Sequence, residues 1–260
     1  MENLKKSLLV VAWLLPFAGF MQNNTFSPYS RYGLGEMTQP TFAHNTGMGG
    51  NFIALRPDSS MPVFINPGNP ASYSLIRLTT LEVGGRFQHS AFKSNSAALN
   101  KWTTNFSYGA LGFPVGGRGG AVLGIMPYSN VGYNTESKGS AEAGEMTYKY
   151  SGGGGLTKAF LGYGVSPFQQ RHLKFRRKHY VVDSLKTLSP AVFKIRNFGS
   201  KMLSDLSVGA NANYIFGNIQ QTGRVIYPNS LLYNNTYVER VVSLGDFTGN
   251  IGVQTAITID

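Results

Sequence analysis

Residues 206–217 read Leu-Ser-Val-Gly-Ala-Asn-Ala-Asn-Tyr-Ile-Phe-Gly, which puts Leu206, Val208, Ala210, Ala212, Tyr214 and Phe216 on one side of an extended chain. Side chains alternate along a strand, so this spacing predicts a ribbon with one apolar face and one polar face. A run of about ten such residues ending in aromatics has the dimensions of a transmembrane β-strand. This strand is placed at 205–219, and the same grammar recurs elsewhere. Over 78–89, Leu81, Val83 and Phe87 alternate with Thr80, Glu82, Arg86 and Gln88. Strands are also predicted at 104–115, 120–133 and 146–165, where the alternation is less clean. The last, 247–259, sets Phe247, Ile251, Val253, Ile257 and Ile259 against Thr248, Asn250, Gly252, Gln254 and Thr258. A further hairpin, Arg224–Tyr227 with Tyr237–Leu244, would add to these six.

Between the strands the signals change. Lys5 and Lys6 precede an apolar run from Leu8 to Phe20, the pattern of an export signal over 1–22 with cleavage between Ala18 and Gln22. Residues 23–76 are rich in Gly, Pro, Ser and Asn without sustained period, and predict packed but irregular chain. Within them Asn69 and Pro70 are placed to cap and start a short helix over Pro70–Leu75. Pro127 falls inside the third strand, where a missing N–H predicts a kink or bulge. Gly116-Gly117-Arg118-Gly119 makes a tight turn, whereas longer polar links follow the first, third and fifth strands. Short periplasmic turns with long outer loops are the asymmetry of outer-membrane barrels. Six strands fall short of the eight that close the smallest such barrel, so the strands of 77–260 read as part of a barrel and the chain as a truncated one.

Composition sharpens this picture. With 32 Gly, 17 Phe and 14 Tyr but only 13% charged residues, the chain fits a barrel better than a soluble β-sandwich. The net charge of +11 is concentrated: residues 169–203 carry nine Lys and Arg against Asp183 alone. That marks a basic periplasmic insert, in which Arg176, Arg177 and Lys178 are candidates to contact an acidic protein or anionic headgroups; it does not mark a nucleic-acid-binding protein. No cysteine is present, which excludes disulfides and thiol chemistry. His44, His89, His172 and His179 lack metal-ligand spacing, and no nucleophile elbow occurs. Gly152–Gly155 lack the lysine of a phosphate loop and read as close-packed or bulged strand. Neither a cofactor nor an enzymatic activity is expected.

Several stretches resemble the FadL-like superfamily of long-chain fatty-acid transporters, in the Bacteroidetes branch with the PorV-type proteins. They are Ser27-Pro28-Tyr29-Ser30-Arg31-Tyr32-Gly33-Leu34-Gly35, Ile65-Asn66-Pro67-Gly68-Asn69-Pro70-Ala71-Ser72, Thr80–Gly84, Gly124–Ser129 and Asn213–Gly217. The resemblance implies a fourteen-stranded outer-membrane barrel whose N-terminal hatch, 23–76, lies in the lumen and carries Asn66, Pro67, Asn69, Pro70 and Ala71. It further implies a lateral gate at the Pro127 kink and passive uptake of a hydrophobic small molecule, with membrane lipid as neighbour. A second class is a non-transport barrel in a type IX secretion or gliding-associated assembly, using a periplasmic or outer-membrane protein partner.

Overall fold

The computed structural model describes residues 25–56, 64–93, 98–141, 144–168, 205–227 and 234–255. The export signal and the basic insert, with Arg176, Arg177 and Lys178, lie outside the described residues. The chain is all-β. A two-residue strand β1 (Glu36–Met37) is followed by β2 (Thr80–Lys93), β3 (Ala98–Val115), β4 (Gly119–Ala141), β5 (Gly144–Val165), β6 (Ser207–Ile226) and β7 (Thr236–Gln254). Strands β2 to β7 pair antiparallel in sequential order, and β1 pairs off the path with β4.

The strands run longer than the alternation predicted. The expected long links after the first and third long strands are instead continued ladder, with Ala98 facing Lys93 and Gly144 facing Ala141. Residues 134–138 are exposed and polar on both faces, so the period fades while backbone pairing persists. Lys149, 3.2 Å from Glu136 at a directly paired position, supports that extension. The proposed extra hairpin is absent as such: Arg224–Ile226 ends β6 and Tyr237–Leu244 begins β7. In the irregular N-terminal stretch β1 was not foreseen, because two residues carry no period. The helix at Pro70–Leu75 is present as a 3-10 helix, with the Asn69 side chain accepting from the Ala71 N–H at 3.2 Å.

Over the half nearest the Gly116–Gly119 turn the outer face of the sheet is apolar. Outward there stand Leu81, Val83, Leu123, Ile125, Leu161, Tyr163, Tyr214, Phe216, Phe247, Ile251 and Val253, all exposed; Leu161 is 60% and Ile251 84% accessible. On the opposite face of β6, Ser207, Asn211 and Asn213 are 1%, 5% and 6% accessible. Beyond a bend, the polarity returns to that of a water-soluble sheet. Val131, Tyr133, Leu156, Ile215 and Ile219 form an apolar cluster on the inner face, while Asn134, Asn218 and Gln220 are exposed.

The bend crosses three adjacent strands. A bulge between Pro127 and Ser129 on β4 lies beside Leu156 and Gly155 on β5, which in turn face Gly217 and Asn218 on β6. Gly154, at φ +97°, supplies backbone that other residues rarely adopt. The bulge expected from Pro127 is therefore present, and of the two roles expected for Gly152–Gly155 the close-packed one is found, since a Cβ on Gly152, Gly154 or Gly155 would strike Tyr133, the Asn218 carbonyl or the Ser129 carbonyl.

Candidate functional site

Residues 25–56 and 64–78 lie against the inner face, and the sheet is shaped to receive them. Gly120, Gly164, Gly209 and Gly252 are successive cross-strand partners on β4, β5, β6 and β7. Together they form a row without side chains. A Cβ on Gly120 would strike the Tyr73 carbonyl oxygen, one on Gly164 or Gly209 that of Pro70, and one on Gly252 the Asn69 side chain. The 3-10 helix thus rests directly on sheet backbone, a close approach that only glycine allows.

Polar groups fix its register. The Asn211 amide donates to the Pro67 carbonyl at 3.1 Å, and Gln254 donates to the carbonyls of Ala54 and Leu55 at 3.1 and 3.3 Å. Asn66 donates to the Phe52 carbonyl and Asn69 to that of Ile53, at 2.5 and 2.7 Å. Each such bond contributes about 1 kcal/mol net, and leaving one partner buried alone costs more. Asn66, Pro67, Asn69, Pro70 and Ala71 are thereby brought together as one rigid turn on the glycine row.

Apolar packing completes the seat. Phe42 stacks on Tyr108 with ring centroids 3.8 Å apart, and the Ala43 N–H donates to the Tyr108 hydroxyl at 3.1 Å. Ile65, Tyr73 and Ile76 join Val122, Met126 and Phe160 in the same buried cluster. Burial raises the Tyr73 phenol well above its ordinary value, opposed in part by the Asn211 side chain. His44, isolated in the sequence, stands 3.7 Å from Glu82 and 4.7 Å from the Phe64 ring centroid. Burial lowers its pKa below the ordinary histidine value.

Pro127 opens a second feature. Strands β3 and β4 are paired only from Val115–Gly119 to Gly109–Ile125. Past that point β3 stays on β2 and β4 stays on β5, so the two part company. The N-terminal segment enters the cleft. Glu36 and Met37 pair with Asn130 and Ser129 on the edge that β3 has left, since β5 holds the other edge. Thr38 N–H donates to the Tyr128 carbonyl and Ser27 N–H to the Gly132 carbonyl, both at 2.9 Å. The Ser30 hydroxyl accepts from the Gly132 N–H at 3.1 Å. Across the cleft, the Lys101 ammonium of β3 sits 5.0 Å from the Phe26 ring centroid. Thr25, Glu36, Arg86, Asn105, Pro127 and Asn130 line the small cavity that remains.

An antiparallel all-β sheet with an apolar outer face, and an N-terminal segment seated on its inner face, defines the class. Within that class the chain belongs to the BamG family, whose model matches residues 3–176. Neither the search of curated proteins nor that of solved structures returned a match. The BamG family is associated with the outer-membrane β-barrel assembly machinery, and its membership implies a protein partner there. This corrects the FadL-like and PorV-type assignment, and with it the uptake channel, the lateral gate for a hydrophobic compound and the type IX secretion role. The matched span includes the opening nonapeptide, the Asn-Pro elements and Pro127 on which the resemblance rested. These residues seat a segment on a sheet and bend a strand, so they report architecture and not cargo.

Proposed function

We propose that this protein is an outer-membrane component of the β-barrel assembly machinery that acts through a protein partner, with its N-terminal segment as a hatch and its outer belt in the bilayer. Family membership over residues 3–176 carries the reading. The apolar outer face supports its membrane half: exposed aliphatics across the sheet, backed on β6 by buried Ser and Asn, suit lipid outside. Tyr214 lies near the bend with its ring stacked on Phe216 at 5.6 Å and tilted against Phe247 at 4.7 Å, and the three suit an interfacial girdle. Six long strands then form an arc of the wall, whose β2 and β7 edges require partners within lipid.

Affinity purification of the tagged chain from detergent-solubilised outer membranes tests the partner. Recovery of the central assembly-machinery barrel, in amounts comparable to the bait, is the expected result. Its absence from material that retains other barrels would remove the proposal.

A further inference from the structure

We propose that the β2–β3 hairpin, past the point where β3 leaves β4, lays its outer face in the phosphate-bearing headgroup layer of the membrane, with Phe87, His89, Trp102 and Phe106 as the anchor. This deepens the membrane half of the proposed function and rests on it. Strand β3 stays on β4 only as far as Gly109, and past that residue its ladder is with β2. On β4 and β6 the outer face turns polar beyond the bend, at Asn134, Asn218 and Gln220. On the hairpin it does not. Phe87, Trp102 and Phe106 are 79%, 74% and 52% accessible, and the His89 ring lies 4.4 Å from that of Trp102, its cross-strand partner. Several large aromatics exposed on one face mark a surface that meets something other than water.

Continuity with the apolar belt identifies the occupant as lipid. On β2 the outer column runs from Leu81 and Val83 to Phe87 with only Gly85 between them. The wall is also slanted, which brings the hairpin aromatics level with those of β6 and β7. Toward the Gly116–Gly119 turn, β2 begins at Thr80, on the rung of Gly112 and Val122, whereas β3, β4 and β5 run on to the rung of Val115, Gly119 and Val165, and β6 and β7 to that of Ser207 and Gln254. At the other rim, Tyr214 and Phe247 share a rung with Val83 by way of Ala159, Ile125 and Gly109. A strand tilt of about 40° displaces equal heights by about five residues over the four steps from β6 to β2. Counted from Val83 in the sense in which the lower ends slant, that height falls between Phe87 and His89. Indole and imidazole, apolar rings with polar edges, suit the headgroup level. Charge agrees with them: from Val83 to Gly109 the chain holds Arg86, Lys93 and Lys101 and no acid, and Lys93 follows His89 on the outer column.

Trp13, in the export-signal stretch, and Trp102 are the two tryptophans of the chain, so Trp13→Phe leaves Trp102 as a single fluorescent reporter. The full chain is folded into phosphatidylcholine–phosphatidylglycerol vesicles whose acyl chains carry bromine either near the headgroup or near the chain end. Trp102 emission should fall about twofold with bromine near the headgroup and much less with bromine near the chain end. A second reporter, Leu161→Trp with Trp13→Phe and Trp102→Phe, reads the belt and should be quenched by the chain-end bromine. Trp102 emission unchanged by either lipid, while the Leu161→Trp reporter is quenched, overturns the hairpin anchor and leaves the membrane reading standing. Stronger quenching of Trp102 by chain-end bromine overturns the headgroup placement. Absence of quenching in both reporters removes the membrane reading and the anchor with it.

Discussion

Gly209→Val should detach the N-terminal segment from the sheet while leaving the strands paired. Gly209 is an inner member of the row Gly120–Gly164–Gly209–Gly252, and a side chain there meets the Pro70 carbonyl and the Ala71 N–H. Both are backbone groups, the Ala71 N–H being held by the Asn69 side chain, and neither can swing aside as a side chain would. Overpacking costs about 1–3 kcal/mol. Losing the Asn211–Pro67 and Gln254–Ala54 bonds adds about 1 kcal/mol each. The expected loss of about 3–5 kcal/mol for segment docking is read by hydrogen exchange and limited proteolysis over residues 25–78. Gly223→Val is the matched control, because its added atom makes only ordinary contact with the Tyr150 ring at 3.6 Å. Equal protection in the two variants would show that the row does not seat the segment.

Leu161→Arg should impair membrane assembly of the protein strongly. Leu161 lies on β5 midway between its end at Val165 and the bend, between Leu123 and Ala212, and is 60% accessible. If the belt faces lipid, an arginine near its middle costs about 2–4 kcal/mol. If the same face met water, the substitution would lie within about 0.5 kcal/mol of neutral and would improve solubility. The two environments thus give clearly different sizes of effect at one position. Asn134→Arg, exposed beyond the bend, should be near neutral in both cases. Folding into lipid vesicles, followed by heat-modifiable gel mobility, measures the difference. A folded yield for Leu161→Arg equal to that of Asn134→Arg contradicts a lipid-facing belt.

What could be read from sequence followed local rules. Period-two alternation located all six long strands and the outward face of β6, because a one-residue error inverts every side chain. Asn69-Pro70 announced its 3-10 helix through cap and start chemistry, and Pro127 its bulge through a missing donor. Features that depend on register between distant strands stayed hidden. The glycines of the seating row are 43 to 45 residues apart from Gly120 to Gly164, Gly209 and Gly252, and nothing local marks them as neighbours. The β3–β4 cleft needed the same knowledge, since Pro127 signals a bend but not which neighbour departs. Family identity failed for a related reason: Ser27–Gly35 and Asn66–Ala71 encode a segment packed against sheet backbone, a solution that barrels of different function share.

Membership of the BamG family points to service in the assembly of outer-membrane proteins and not to a conduit for small molecules. Quantitative proteomics of outer membranes after controlled depletion of the protein, with uptake of a labelled long-chain fatty acid followed in the same cells, tests it most directly. The account predicts a severalfold loss of other barrel proteins before any change in uptake per remaining transporter. An unchanged complement of barrel proteins, with uptake falling in step with depletion, would contradict it.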